Sequence, residues 1–100
     1  MQPRLFLDVD PRTLHLPTTR AMGADPLKLQ RQIAKHGKST QGMPTLEVSR
    51  GSDGELMIND GVTRATRVAK LLPDVVVRVE VIDDYPMPVG HLPTIGDRLP

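Results

Sequence analysis

Apolar positions along the chain follow two rhythms, and the switches between them mark out the elements. A strand repeats every two residues and a helix every three or four. Residues 4–9 alternate imperfectly and carry β-formers, which predicts a short strand stopped by Asp10-Pro11. Residues 11–24 hold no steady period and read as loop. Asp25-Pro26 then supplies a helix start: the carboxylate accepts from free amides, and proline has no N–H to leave unpaired. Leu27, Gln30, Ile33 and Ala34 mark one face of that helix, with Lys28, Arg31 and Lys35 largely on the other. Gly37 is placed to end it in a left-handed conformation, with His36 and Lys38 at the negative end of the dipole.

Period two returns at residues 45–50, with Leu46 and Val48 on one face. Gly51-Ser52-Asp53-Gly54 is a hairpin turn, and residues 55–59 return with Leu56 and Ile58 inward. A second helix follows at once. Val62, Ala65, Val68, Ala69 and Leu72 fall on one stripe, while Arg64, Arg67 and Lys70 are expected to face away or lie at its edge. Pro73-Asp74 ends it. The β-branched run from Val75 to Ile82 predicts a central strand. Residues 85–100 hold too many prolines for a sheet interior and are expected to lie over the surface or fray. The order is β, loop, α, β-hairpin, α, β, tail. It predicts an α/β (α+β) domain over residues 1–84, a small mixed sheet with helices packed on it, followed by a proline-rich C-terminal tail over 85–100.

Composition narrows the function classes. One hundred residues suffice for one core. A net charge of +1 gives no overall electrostatic case for nucleic acid or an anionic membrane. The absence of cysteine excludes disulfides, thiolate metal sites and thiol nucleophiles. With two aromatic residues, Phe6 and Tyr85, the core must be aliphatic, and base stacking has almost nothing to work with. No apolar run approaches a membrane span, and the start lacks the form of a signal peptide, so a cytoplasmic location is the expectation.

The candidate chemistry lies where the hairpin meets the second helix. Gly61 lets the backbone turn at positive φ and lets a ligand approach the free amides of the helix start, a natural anion pocket. Arg64 lies one turn further on, within reach of the same place, and Thr63 and Thr66 carry hydroxyl donors. The structural alternative has Asn59 or Asp60 capping the helix and Arg64 solvated. His15, His36 and His91 share no ligand spacing. Asp8 and Asp10 end the first strand and Asp83 and Asp84 the last. Parallel pairing of those strands would gather the four around a divalent cation. Arg31, Lys35 and Lys38 form a basic strip that reads first as a solvated helix face.

The stretch from His36 to Asp83 resembles the ParB/sulfiredoxin-like superfamily, in which a helix ending in glycine leads into a proline-started strand, a hairpin, a G-x-x-R helix start and a final strand. Residues 61–64, GVTR, align with the G-E-R-R box of ParB proteins and the G-C-H-R box of sulfiredoxins. Pro44 matches the strand-opening proline, and LPTTRA, residues 16–21, sits where ParB proteins carry a Q-P-R box. The resemblance covers roughly residues 4–83. It implies that Gly61 and Arg64 contact the phosphates of a nucleotide, with Arg20 as a second contact. Val62 stands where sulfiredoxins have the catalytic cysteine, which excludes sulfinic-acid reduction. Val62 and Thr63 also replace the Glu-Arg of the ParB box, and no helix-turn-helix follows, so a full chromosome-segregation ParB is not expected.

The expected function is therefore binding of a nucleotide or of nucleic-acid phosphate, with Mg²⁺ accompanying a nucleotide cofactor. A weak phosphodiesterase (nuclease) activity is kept open, with Asp60 as its base or metal ligand. The alternatives are a non-catalytic interaction module, with the tail from Tyr85 docking on a protein partner, and a detached ParB-like effector or toxin domain.

Overall fold

The computed structural model describes residues 4–100 and shows a small α+β fold. Its four strands are β1 (Leu5–Val9), β2 (Leu46–Arg50), β3 (Leu56–Asp60) and β4 (Val77–Asp84), and its helices are α1 (Pro26–His36) and α2 (Val62–Leu71). The strands form one mixed sheet in the order β1-β4-β2-β3. β1 runs antiparallel to β4, β4 parallel to β2, and β2 antiparallel to β3. The β-branched strand is thus interior, as its composition predicts. It begins two residues later than its first valine, because Leu72 and Val75 close a turn through a carbonyl–amide bond of 3.1 Å.

The core lies between the sheet and α2. Leu46, Val48, Ile58, Val77 and Val79 meet Val62, Ala65, Val68 and Ala69, and all are buried. α1 packs chiefly against α2. Its start is as predicted, with Asp25 accepting from the amides of Leu27 and Lys28. Its inward face differs: Leu29 is buried and Ile33 half-buried, whereas Leu27 is 63% exposed and Gln30 and Ala34 are exposed. Both sets fit helical spacing, and the position of α2 decides between them. Arg67 also departs from expectation. It is 1% exposed, and its Nη1 donates to the carbonyls of Gly37 and Ser39.

The segment read as loop does more than connect. Leu14 and Leu16 are fully buried, and residues 14–16 add an irregular strand to the outer side of β3: the His15 amide donates to Leu56 O, and the Ile58 amide to His15 O. The tail then covers that segment, with the Leu16 amide donating to Pro93 O and the Ile95 amide to Leu14 O. Val89 and Ile95 are buried, so the tail is packed into the fold at these points instead of fraying. Prolines cannot donate to a ladder, but their carbonyls accept as well as any other.

Asp53 in the hairpin turn fastens the tail. Its carboxylate accepts from the amides of Gly90 (2.8 Å), Glu55 (3.2 Å) and Val89 (3.2 Å). The Gly90 amide, helped by those of Glu55 and Val89, holds this carboxyl below the usual aspartate value against the opposing effect of burial. A depressed folded-state pKa contributes stability above the unfolded-state value, and that contribution is lost as pH falls through the folded-state value. Asp53→Ala should therefore lower the urea midpoint at neutral pH, and the gap to the parent should close as the solution is acidified. Urea titrations at several pH values would measure it.

Candidate functional site

Gly61 stands between β3 and α2 with φ +101°, the left-handed region that glycine occupies at little cost. No side chain caps the helix that follows. The two residues expected as structural caps are used elsewhere. Asn59 donates from Nδ2 to Ser49 Oγ at 2.7 Å, and Asp60 pairs with Arg64, Oδ2 to Nη2 at 3.4 Å. The backbone therefore opens α2 without a side-chain acceptor on its first amides, at the positive end of the dipole.

Around this turn lies an open hollow of about 370 Å³. Its walls come from three places. Asp60, Gly61, Val62, Thr63 and Arg64 form one side; Lys28, Arg31, Gln32 and Lys35 project from α1; Arg20 closes it from the end of a short 3-10 turn, Thr18–Arg20. Five of these side chains are cationic and one is a carboxylate. In a chain with a net charge of only +1, that is a marked local concentration of positive charge. The Arg64 side chain folds back over the turn, with Nη2 2.9 Å from where a β-carbon on Gly61 would stand. It is 22% exposed, and its Nε is buried without a hydrogen-bond partner.

The structure thus brings Arg20, Asp60, Gly61, Thr63 and Arg64 to one hollow, although Arg20 is far from the others in sequence. It does not bring Thr66 there. That side chain is 2% exposed and donates to Val62 O at 2.7 Å, within its own helix. Lys28, Arg31, Gln32 and Lys35 are the wall residues that sequence reasoning left out of the site. Their signal is visible: they recur at the three-to-four-residue spacing of a single helix face.

The four terminal aspartates do not meet. β1 and β4 are antiparallel, so Asp8 lies opposite Arg78 while Asp84 pairs with Arg50 at the far end of β4. No group of three or more His, Cys, Asp or Glu side chains suited to a metal ion forms among the described residues. Nor is any helix among them long and apolar enough to cross a membrane.

Comparison with protein-family models, with curated proteins and with solved structures gives no match.

Proposed function

We propose that this chain binds a phosphate-bearing ligand, a nucleotide or the phosphates of a nucleic acid, in the hollow at the start of α2. One observation carries the reading: Arg20, Lys28, Arg31, Lys35 and Arg64 converge from three elements on an uncapped helix start, with Asp60 as the sole carboxylate of the lining. Phosphate oxygens suit both partners there, backbone amides and guanidinium groups. No aromatic ring lines the hollow, so recognition would rest on phosphate charge more than on base stacking. The resemblance to ParB/sulfiredoxin-like proteins supports the same assignment of Gly61 and Arg64.

Asp60 has a double part in this reading. It is the counter-ion that an arriving phosphate would displace from Arg64. It is also the single lining carboxylate open to a Mg²⁺ carried on a nucleotide, an ion that is often held mainly by phosphate and water. Any phosphodiester chemistry would draw its base or metal ligand from Asp60.

Titration with pyrophosphate, ATP, CTP and a short single-stranded oligonucleotide, followed by backbone amide shifts, tests the proposal. Shifts should concentrate at residues 61–64 and on the Lys28–Lys35 face of α1, and binding should weaken as salt rises. Arg64→Ala and Arg31→Ala should each weaken it about tenfold. No shift at residues 61–64 with any of the four would sink the idea.

An interaction module is the second reading, and a separate surface favours it. Met22 (81% exposed) and Leu27 (63% exposed) border an apolar groove with Leu29 and Ile33 beneath. The tail is less suited to that role than its composition suggests, because Val89 and Ile95 are already buried in the fold. A parent chain without phosphate affinity would leave this reading in possession.

A further inference from the structure

We propose that two copies of this chain associate edge to edge through β1, antiparallel about a two-fold axis at Phe6. The two edges of the sheet are treated differently. Beyond β3 lie residues 14–16 and then the tail, so that edge is covered by the chain itself. β1 is the other edge, and among the described residues it pairs with β4 alone. Its pairing is unbroken from Leu5 opposite Val81 to Val9 opposite Val77. No bulge, proline or lysine interrupts these residues, and the one charge among them is Asp8.

The side chains on this edge are exposed in part. Leu5, Phe6 and Leu7 are 38%, 39% and 37% exposed. Leu5 and Leu7 share the face of Val77 and Val79, which are buried, so the apolar layer of the core runs on to β1 and stops there without cover. Three consecutive exposed apolar residues on a regular edge strand are a template for another strand.

The order of residues selects the occupant. Arg4-Leu5-Phe6-Leu7-Asp8 is chemically palindromic. Antiparallel pairing about Phe6 sets Phe6 against its symmetry mate, Leu5 against Leu7, and Arg4 against Asp8. Both helix layers then lie on the same side of a continuous eight-stranded sheet. Four leucines form one patch on that side, and two Arg4–Asp8 pairs flank the phenylalanines on the other. Arg4 is held by Glu80 at 2.9 Å and Asp8 by Arg78 at 3.4 Å, which orients both side chains. They keep 70% and 55% of their side-chain surface exposed, open to a partner. A five-residue edge buries less than a standard interface, so the association is weak and concentration-dependent.

Sedimentation equilibrium of the full chain tests this. The mean mass should rise with concentration from 11.0 kDa toward twice that value. Arg4→Asp and Asp8→Arg should each weaken self-association about tenfold by setting like charges opposite each other across the axis. A melting temperature for each variant checks that the reversed contacts with Glu80 and Arg78 leave the monomer folded. An equimolar mixture of the two variants should restore it, because each cross-pair is again oppositely charged. Amide exchange in the unsubstituted chain, slowed at β1 as concentration rises, gives a second reading that needs no variant. A single mass up to about 1 mM would overturn the proposal. So would a dimer unaffected by either charge change, or one that the mixture fails to restore.

Discussion

Gly61→Ala is expected to unfold at a much lower urea concentration than the parent, a loss of about 2–5 kcal/mol from backbone strain and overpacking together. Gly61 has φ +101°, where an L-residue is strained. A β-carbon there would also overlap Leu46 Cδ2 and stand 2.9 Å from Arg64 Nη2. The arginine contact is with the far end of a flexible chain and can yield. Leu46 cannot, because it is fully buried at the sheet–helix junction. Gly54→Ala is the matched control. Gly54 has φ +83° in the hairpin turn, but nothing stands within 4 Å of its would-be β-carbon. It should lose about 1 kcal/mol, the backbone share alone. In a domain of this size each kcal/mol is worth about 4–8 °C of melting temperature, so thermal unfolding separates the two variants readily. Equal losses would mean that Leu46 does not constrain the turn.

The two glycines also mark how far the fold could be read from the sequence. Signals that act within a few residues carried through: the Asp25-Pro26 cap, the Gly51–Gly54 hairpin turn and the β-branched strand ending at Asp84. What escaped was structure that exists only between distant segments. Leu14-His15-Leu16 is too short to show a period, and it becomes a strand because β3 and the tail lie on either side of it. The prolines of the tail argued against a sheet interior. They did not argue against lying along an edge, where Pro93 accepts through its carbonyl and Val89 and Ile95 face inward.

The candidate site divides along the same boundary. Gly61 and Arg64 are legible because the turn and the helix start are neighbours in sequence. Lys28, Arg31 and Lys35 read as the wet side of α1, which they also are. The spacing that makes a solvated face makes equally well one wall of a hollow. Only the placing of α1 beside α2 turns the second possibility into geometry. Arg20 reaches the hollow from the short Thr18–Arg20 turn, which follows the buried Leu14–Leu16 segment, so its place depends on a segment whose pairing no local signal announces.

Arg67 is the case where the helical period gave the wrong environment, and it yields the second large effect. Arg67→Ala is expected to lose about 3–5 kcal/mol, through the cavity left and the acceptors left unpaired. Its Nη1 donates to Gly37 O at 2.7 Å and to Ser39 O at 2.8 Å, and its Nη2 approaches Met43 Sδ at 3.7 Å. One guanidinium thus fastens the connection after α1 to the middle of α2. Gly37 caps the C-terminus of α1 and Ser39 follows it, a place where a cation is favoured by the helix dipole. No carboxylate forms an ion pair with it among the described residues, and burial pulls its pKa below the ordinary arginine value. At neutral pH it is charged all the same. The charged side chain therefore brings a desolvation cost along with its hydrogen bonds, and an uncharged replacement of similar size separates both from the filled volume. Arg67→Met keeps much of the volume, removes the charge and leaves the carbonyls unpaired, and should lose only about 1–2 kcal/mol. Equal losses for the methionine and alanine variants, measured by urea denaturation, would show that the filled volume counts for little beside the bonds to Gly37 and Ser39. In either outcome, limited proteolysis should find the chain between residues 37 and 43 cut faster in both variants, since that stretch loses the side chain that holds it to α2.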